Sequence, residues 1–388
     1  MKWVLIVLLT ISVSACSVAP EPSRQSTLQE VNIPNWKYAK AQKRAIDYLL
    51  STQKKDGSWY HVLPLDGYRG QRVISRPNYA VHCGNASCAI ICMALLEMPK
   101  DEQIEKAMYR GYEYLVDAPE ARRTDGFFLE NVWAHLYMVH GLSLGLLDSR
   151  LEKLHAKMRE RCRFELKALF DTQAISGGWG YYSHNRVVPT EWSCTCSTAA
   201  AVVALYAAKE AGFDVPSRRV EMACDRLLAA RNPDGSYCYS PRDSRRNPIS
   251  PPNQMAGASG RTQACNYGLS LWKQPITVAD VDHGLSEFFR LNCFMEAGRA
   301  RYYPHEAFFA VAPYYYYYVH YYAAESISVV EKQQRKQYAT KLLEKVVPAQ
   351  SDDGSYWDTP MFGLTKTYAT GFAILIMERC RKILSDKS

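Results

Sequence analysis

Histidine, carboxylate and guanidinium side chains stand beside long apolar segments of this sequence, and these groups can transfer protons or neutralise anions. Our catalytic candidates are His82, Glu191, Arg261 and His305. A polar group in apolar surroundings costs free energy unless it is bonded, so we expect such residues to share a site. Amide, imidazole and aromatic residues at comparable positions are the candidate ligand-binding residues: Asn85, His135, Trp192, Gln263, Tyr314, Tyr317, Tyr318 and Tyr368.

The segment PYYYYYVHYY, residues 313–322, is especially rich in candidates. We predict that it belongs to a helix over residues 307–325 that Pro313 kinks or interrupts. Helical spacing places Tyr314, Tyr317, Tyr318 and Tyr321 on one face and turns Tyr315, Tyr316 and Tyr322 elsewhere. Because a buried tyrosine hydroxyl needs a partner, we expect part of this helix to line a polar cavity that suits isoprenoid chains, sugar rings or cations.

A seven-residue pattern, Gln-x-x-x-Gly-x-aromatic, recurs along the chain. The clear copies are residues 53–59, 173–179, 231–237 and 350–356, of which the third begins with Arg instead of Gln. Gly126 and Gly298 mark two weaker copies. Glycine can end a helix in the left-handed conformation and the aromatic residue can wedge between units, so the pattern predicts a structural turn repeated six times.

Two kinds of helix alternate between these turns. The segment before the first turn is apolar on one face only, as residues 43–50 show, whereas segments after a turn, such as 86–96 and 197–208, have almost no polar face. A helix that is apolar all round must be buried all round. Six half-buried and six buried helices predict an all-α fold, an α/α toroid with an outer and an inner ring.

The turns, the helix order and the sixfold repeat resemble the terpenoid cyclase and protein prenyltransferase superfamily over residues 36–384. The resemblance implies the toroid, with the candidate residues near a mouth formed by the inner-helix N-termini, but fold does not fix activity. Cyclases of this superfamily that protonate an alkene carry an Asp-x-Asp-Asp motif, which this sequence lacks. Its nearest strings, residues 280–283 and 352–354, are predicted at an outer-helix start and in a turn.

Prenyltransferases of the same superfamily hold zinc with Asp, Cys and His, and residues 191–196 resemble part of such a site. Cys194 and Cys196 are therefore the metal candidates, with His82 or His305 as a nitrogen ligand. The expected Asp-x-Cys pair is missing. We predict no cofactor, and a zinc-dependent prenyltransferase-like enzyme is an alternative.

A second alternative is an extracytoplasmic polysaccharide lyase that acts on acidic glycans. Its β-elimination needs a group that neutralises a uronate, a base and an acid. Arg261 or Asn85 can neutralise the carboxylate. His82 or His305, together with a tyrosine of 314–318, can serve as base and acid.

The interpretation that we adopt is a toroid whose aromatic-lined central cavity binds an isoprenoid, another lipid or a glycan, with no catalysis assigned. The net charge of +8 is spread over 388 residues. The sequence contains no nucleic-acid-binding module, so nucleic acid is not an expected partner.

The first sixteen residues resemble the signal peptide of a bacterial lipoprotein. Lys2 precedes the apolar residues 3–9, and residues 13–16 end in small residues and a cysteine. In such lipoproteins Cys16 carries the lipid, and the serine after it favours the outer membrane. We predict an outer-membrane lipoprotein of the bacterial cell envelope, attached to the membrane through Cys16, with residues 17–35 as a tether; an ordinary secretory signal is the alternative.

Eleven cysteines follow Cys16. Cys88, Cys92, Cys224 and Cys265 lie in apolar helical patterns, where cysteine behaves as a small hydrophobic side chain. We predict that most of the eleven are buried in the core.

Overall fold

The computed structural model describes residues 34–59, 77–120, 128–129, 132–181, 183–184, 190–241, 250–299, 301, 307–311, 315–358 and 365–386. The predicted signal peptide with Cys16 lies outside these ranges, as does the predicted tether except for its last two residues. Within the described ranges, no helix has the length and apolar character needed to cross a bilayer.

Amphipathic helices form the outer layer. They are α1 (Ala39–Thr52), α3 (Glu102–Val116), α5 (His155–Asp171), α7 (Ser217–Leu228), α9 (Val278–Arg290) and α12 (Lys332–Val346). A short helix, α10 (Asn292–Arg299), follows α9. Local sequence starts several of them: Asp101 accepts hydrogen bonds from the first N–H groups of α3, and Thr277 with Asp280 forms a capping box on α9.

The inner layer consists of six helices that are buried nearly all round. They are α2 (Pro77–Leu96), α4 (Val132–Gly145), α6 (Thr195–Glu210), α8 (Met255–Leu271), α11 (Tyr316–Ser326) and α13 (Thr365–Ser385). Each inner helix packs against the next one, and α13 packs against α2, so the ring is closed. The predicted all-α toroid with two layers is confirmed.

Short elements complete the described chain. Two-residue strands, β1 (Phe128–Leu129) and β2 (Ser183–His184), pair antiparallel. The 3₁₀ turns are Ser149–Leu154, Pro251–Asn253, Phe308–Ala310 and Val347–Ala349.

The repeated glutamine ties three of the turns to the outer helix that follows in the ring. Gln53 Nε2 donates to the Gly57 carbonyl at 3.0 Å and to the Ala107 carbonyl of α3 at 2.8 Å. Gln173 repeats this bond pair toward α7, and Gln350 repeats it toward the Ala41 carbonyl of α1. The last of these bonds joins the sixth repeat to the first.

Arginines on the receiving helices reinforce the same junctions. Arg110 of α3 donates to the carbonyls of Lys54 and Lys55, at 2.6 and 2.9 Å. Arg44 of α1 donates in the same way to residues 351 and 352, at 2.9 and 2.8 Å. Each guanidinium therefore satisfies turn carbonyls that would otherwise need water.

The turn glycines adopt the conformation that the pattern predicts. Gly57, Gly177, Gly235 and Gly354 have φ between +83° and +94°. The aromatic residues that follow these glycines are fully buried, and the Trp59 indole N–H donates to the Leu49 carbonyl at 2.7 Å. The structural interpretation of the four clear copies is confirmed.

The prediction of a fifth turn at Gly298 is wrong. Gly298 lies inside α10 and has no positive φ. The glycine and the nearby tyrosines therefore resemble the repeated turn in residue type but not in structure. Gly126, the other weak copy, lies outside the described residues.

The tyrosine-rich helix is shorter than predicted, since α11 begins at Tyr316 and residues 307–311 form a 3₁₀ turn and its flanks. A carboxylate from the sixth repeat caps it: Asp358 Oδ1 accepts the Tyr317 N–H at 2.9 Å. Asp358 is fully buried. Burial raises the pKa of Asp358 from 3.8 to about 7, although the Tyr317 N–H opposes this rise.

Gly57→Ala is expected to destabilise the fold much more than Gly212→Ala. Both glycines have a left-handed φ, but a Cβ at Gly57 would lie 2.2 Å from the Arg110 carbonyl oxygen, whereas a Cβ at Gly212 meets nothing within 4 Å. Gly212→Ala should cost roughly 1–2 kcal/mol for the backbone conformation alone. Urea unfolding of both variants measures the difference; equal losses would show that the turn does not need this close approach.

Asp358→Asn is expected to stabilise the protein at pH 8 and to have little effect below about pH 4. The asparagine oxygen can still accept the Tyr317 N–H but carries no charge. Because the native pKa of Asp358 lies above the unfolded one, its contribution is full below about pH 4 and is lost as the pH rises through 7. At about 1.4 kcal/mol per pH unit, the gain could reach ~4 kcal/mol at pH 8.

Melting temperatures between pH 4 and 8 test this, with Asp352→Asn, in the turn that precedes Asp358, as the exposed control. A variant at Asp358 that is less stable at every pH would mean that the cap requires a charged carboxylate.

Candidate functional site

Aromatic side chains meet across the middle of the ring. Trp133 of α4 stacks on Tyr181 at 5.9 Å and contacts the edge of Tyr318 at 5.8 Å between ring centroids. Tyr318 belongs to α11, which lies opposite α4 in the ring. At this level, therefore, aromatic packing fills the centre of the toroid.

The tyrosines of α11 divide differently from the predicted faces. Tyr315 and Tyr322 contact Tyr318, at 5.4 and 4.8 Å, and Tyr315 also packs on Trp133, so both belong to the inward set. Tyr317 instead packs against Tyr356 of the sixth turn. The predicted grouping of Tyr317 with Tyr318, apart from Tyr315 and Tyr322, is wrong: Tyr315 precedes the first helical residue, and Tyr322 follows Tyr318 by one helical turn and therefore packs on it.

A cavity of about 250 Å³ lies between α8 and α11, and we call it the α8–α11 pocket. Its lining residues are Cys196, Tyr239, Pro252, Ala256, Gly257, Ser259, Gly260, Arg261, Met295, Ala310, Val311, Tyr315, Tyr316 and Val319. Most of these side chains are small, apolar or aromatic. One, Arg261, carries a charge.

Arg261 is 8% exposed and holds backbone carbonyls around the pocket. Its Nε donates to Tyr237 at 3.0 Å and one terminal nitrogen donates to Gly257 at 2.9 Å, while the other donates to Pro252. These bonds use three of the five N–H groups of a guanidinium. The guanidinium also lies 5.8 Å from the centre of the Tyr239 ring, and no carboxylate of the described residues pairs with it.

Hydroxyl and thiol groups form a connected cluster beside the pocket. The Tyr181 hydroxyl lies 2.6 Å from the Tyr239 hydroxyl, accepts from Tyr315 at 3.0 Å and lies 3.2 Å from Cys194 Sγ. We call Tyr181, Tyr239, Tyr315 and Cys194, with Cys196, the thiol–tyrosine cluster. Three of its members, Tyr239, Tyr315 and Cys196, line the pocket.

The pKa values of the two thiols in this cluster are shifted in opposite directions. Cys194 stands immediately before α6 and is 1% exposed. Burial alone would raise the pKa of Cys194, but hydrogen bonding with the Cys196 thiol, the Tyr181 hydroxyl and the backbone of Ser197 and Cys196 lowers it below its usual value. The same hydrogen bond and burial raise the pKa of Cys196.

A second polar cluster lies between α2, α4 and α5. His135 Nδ1 is 2.5 Å from Glu165, whose other oxygen pairs with Arg161 at 2.7 Å. His82 lies near His135, and burial together with His135 lowers the pKa of His82 to about 3. His82 is therefore neutral at physiological pH, and its buried Nε2 atom has no hydrogen-bond partner among the described residues.

Sequence reasoning found His82 and His135 but missed Glu165. On α5, Glu165 follows Arg161 by four residues, which resembles an ordinary surface ion pair. Its burial became visible only with the packing of α5 on α4.

Two other predicted residues bond to the surrounding fold, and a third lies at the surface. Asn85 donates to the Pro119 carbonyl and accepts from the Tyr114 hydroxyl, and the fully buried Gln263 joins α8 to the Gly284 carbonyl of α9. Glu191 is exposed.

The remaining predicted residues differ in how far they are described. Trp192 packs on Tyr181 at 5.4 Å, and the half-buried Tyr368 packs on Phe372 at 6.4 Å. His305 and Tyr314 lie outside the described residues.

The residues that a lyase would need are only partly described: Arg261 and Tyr315 line the same pocket, whereas His305, one of the two candidate bases, lies outside the described residues. His82 belongs to α2 and Arg261 to α8, on opposite sides of the ring, and the Arg261 guanidinium is largely committed to carbonyls. Within the described ranges, no group of three or more His, Cys, Asp or Glu side chains could hold a metal ion.

The carboxylates nearest to a cyclase motif point away from the pocket, as predicted. Asp280 caps α9 and pairs with Arg231, and Asp282 accepts the Tyr338 hydroxyl of α12 at 2.8 Å.

Nine of the eleven cysteines after Cys16 are buried, which confirms the predicted core location of most of them. Cys83 is half-buried and Cys293 is exposed. All eleven are free thiols.

No protein-family model and no curated protein matches this sequence. Solved structures do match, over nearly the whole described chain. The type II terpene cyclase MstE from Scytonema is 12% identical, with 89% of this chain and 99% of that chain covered and a TM-score of 0.51. A glycoside hydrolase family 76 mannosidase, Bt3792 from Bacteroides thetaiotaomicron, is 13% identical, with coverage of 89% and 98% and a TM-score of 0.51.

A third match, the Lin0763 protein from Listeria innocua, is 10% identical, with coverage of 90% and 99% and a TM-score of 0.51. Identities this low establish the fold alone. Proteins described as a terpene cyclase and as a mannosidase share it, so the fold leaves the activity open. The chain has the α/α toroid fold that it shares with these proteins.

Proposed function

We propose that this chain is an envelope lipoprotein whose toroid binds an apolar ligand with an anionic group in the α8–α11 pocket. The observation that carries the proposal is the Arg261 guanidinium, which is buried in the wall of a largely apolar pocket and is bonded to backbone carbonyls, with no carboxylate partner among the described residues.

The pocket favours a lipid or isoprenoid over a glycan. Ala256, Val311 and Val319 offer few hydrogen-bonding groups, and each sugar hydroxyl buried against them would lose its water without replacement. The volume of about 250 Å³ lies just below the usual range for small-molecule sites, so it suits one short chain or ring.

Arg261 supplies the polar end of the site. After its three carbonyl bonds, two N–H groups of the guanidinium are left for a ligand. A carboxylate or phosphate that met them would gain charge-assisted hydrogen bonds in surroundings of low dielectric constant.

Decanoate is expected to bind the chain lacking residues 1–16, and decanol, which has the same length but no charge, is expected to bind roughly tenfold more weakly. Ala256→Leu places a larger side chain in the pocket and should weaken decanoate binding by a similar factor. Ala279→Leu makes the same change on the exposed side of α9 and should have no effect. Calorimetric titration measures all four affinities.

Equal binding of decanoate to the Ala256→Leu variant would place the ligand elsewhere. Tighter binding of decanol than of decanoate would remove the role of Arg261.

Cys16→Ser in the full chain is expected to release the protein from the membrane. Serine cannot form the thioether that anchors a lipoprotein, and one lost lipid group weakens membrane attachment strongly. Detergent phase partitioning of cell extracts measures the shift, with Cys293→Ser as a matched control. A Cys16→Ser protein that stays in the detergent phase would contradict lipid attachment at Cys16.

A further inference from the structure

We infer that residues 307–311, which we call the gate segment, open the α8–α11 pocket to its ligand by releasing two strained backbone positions. The inference rests on the proposed function for the identity of the ligand only. The movement of the segment follows from its own backbone and from the residues on which it lies.

The gate segment separates the pocket from solvent. Ala310 and Val311 line the pocket. Phe308, in the same short turn, is 69% exposed, which is more than any other large hydrophobic residue in the described ranges. Pocket and solvent therefore meet on the two sides of this one piece of chain, and a displacement of it opens the pocket.

Two consecutive residues of the segment are strained. Phe309 has φ +59° and ψ +19°, and Ala310 has φ +51°. In this left-handed region a Cβ atom lies too close to a carbonyl oxygen, so residues other than glycine lose stability there. Such strain persists only where the surroundings impose it, and it is released when the segment moves away from them.

Two glycines lie under the segment. A Cβ added to Gly257 of α8 would lie 2.9 Å from the Phe309 carbonyl oxygen, and one added to Gly298 of α10 would lie 3.4 Å from the Val311 carbonyl oxygen. At both points the segment rests on a surface without side chains. It can therefore move away from this surface without separating interlocked side chains at these two glycines.

A small set of contacts holds the closed position. The Phe309 ring packs edge-on against Phe294 of α10, with 4.8 Å between ring centroids. The Ala310 N–H donates to the Ala307 carbonyl at 3.0 Å. Strain opposes these contacts, so opening costs less free energy than it would for an unstrained turn. Segments of this kind supply the local openings through which ligands reach buried sites.

Hydrogen exchange of the backbone amides of residues 308–311 in the native full chain measures the opening. Ala310→Gly is expected to slow this exchange about tenfold, after correction for intrinsic rates, because glycine adopts a positive φ without strain and the closed state becomes more stable. Ala307→Gly makes the same chemical change where φ is −71°, so it should speed the exchange by adding backbone freedom.

Lys273→Gly is the control for strain elsewhere. Lys273 follows α8 and has φ +52°, and its N–H donates to the Ser270 carbonyl at 3.1 Å. Glycine should relieve the same kind of strain there and slow the exchange of residue 273. The exchange of residues 308–311 should stay unchanged.

The rates of decanoate binding test what the opening is for. Because the strain is the same in the free and the occupied closed states, Ala310→Gly should lower the association and dissociation rate constants together, about tenfold, and leave Kd unchanged. Ala307→Gly should raise both rate constants, and Lys273→Gly should alter neither. Magnetisation-exchange NMR with carbon-13-labelled decanoate measures these rate constants.

Two results would overturn the inference. Exchange that changes in the same direction in Ala310→Gly and Ala307→Gly would show that strain does not control the opening. Slower exchange with unchanged decanoate rates in Ala310→Gly would show that the ligand enters elsewhere. Failure of decanoate to bind would contradict the proposed function, and hydrogen exchange would still decide whether strain controls the opening.

Discussion

The toroid depends on the pair of hydrogen bonds that a turn glutamine makes to its own glycine and to the next outer helix. Gln53, Gln173 and Gln350 each spend both N–H groups of one amide in this way. The bond within the turn fixes its shape, and the bond to the neighbouring helix fixes the angle between repeats. Helices that lack a polar face can bury their whole surface only if that angle closes six repeats into a ring.

Much of this architecture could be predicted because backbone geometry restricts residue type. A residue with a left-handed φ that lies against another backbone segment has to be glycine. For this reason Gly57, Gly177 and Gly354 were sufficient to predict their turns from the sequence. Gly298 was wrongly predicted as a turn because a glycine can also occur inside a helix. Its presence near tyrosines does not require a left-handed backbone conformation. The start of α11 was misplaced because residues 307–311 have helix-compatible types but adopt a 3₁₀ turn with Phe309 at a positive φ.

The site was less predictable, because its properties come from partners that are remote in sequence. Arg261 was expected to meet a ligand carboxylate, and its main partners are carbonyls of residues 237, 252 and 257. Tyr181 was not a candidate, yet its hydroxyl contacts those of Tyr239 and Tyr315, which belong to two other segments of the chain. Residue types show which chemistry is available, but the packing decides which groups are already engaged.

The bond from Gln350 to the Ala41 carbonyl has a consequence for the order of assembly. The turn that packs on the first outer helix, α1, belongs to the last repeat. A chain that is still being synthesised therefore cannot form this contact. Until α13 arrives, the flank of α2 that faces it remains exposed to solvent. The N-terminal repeat therefore reaches its native packing only when the last repeat is in place.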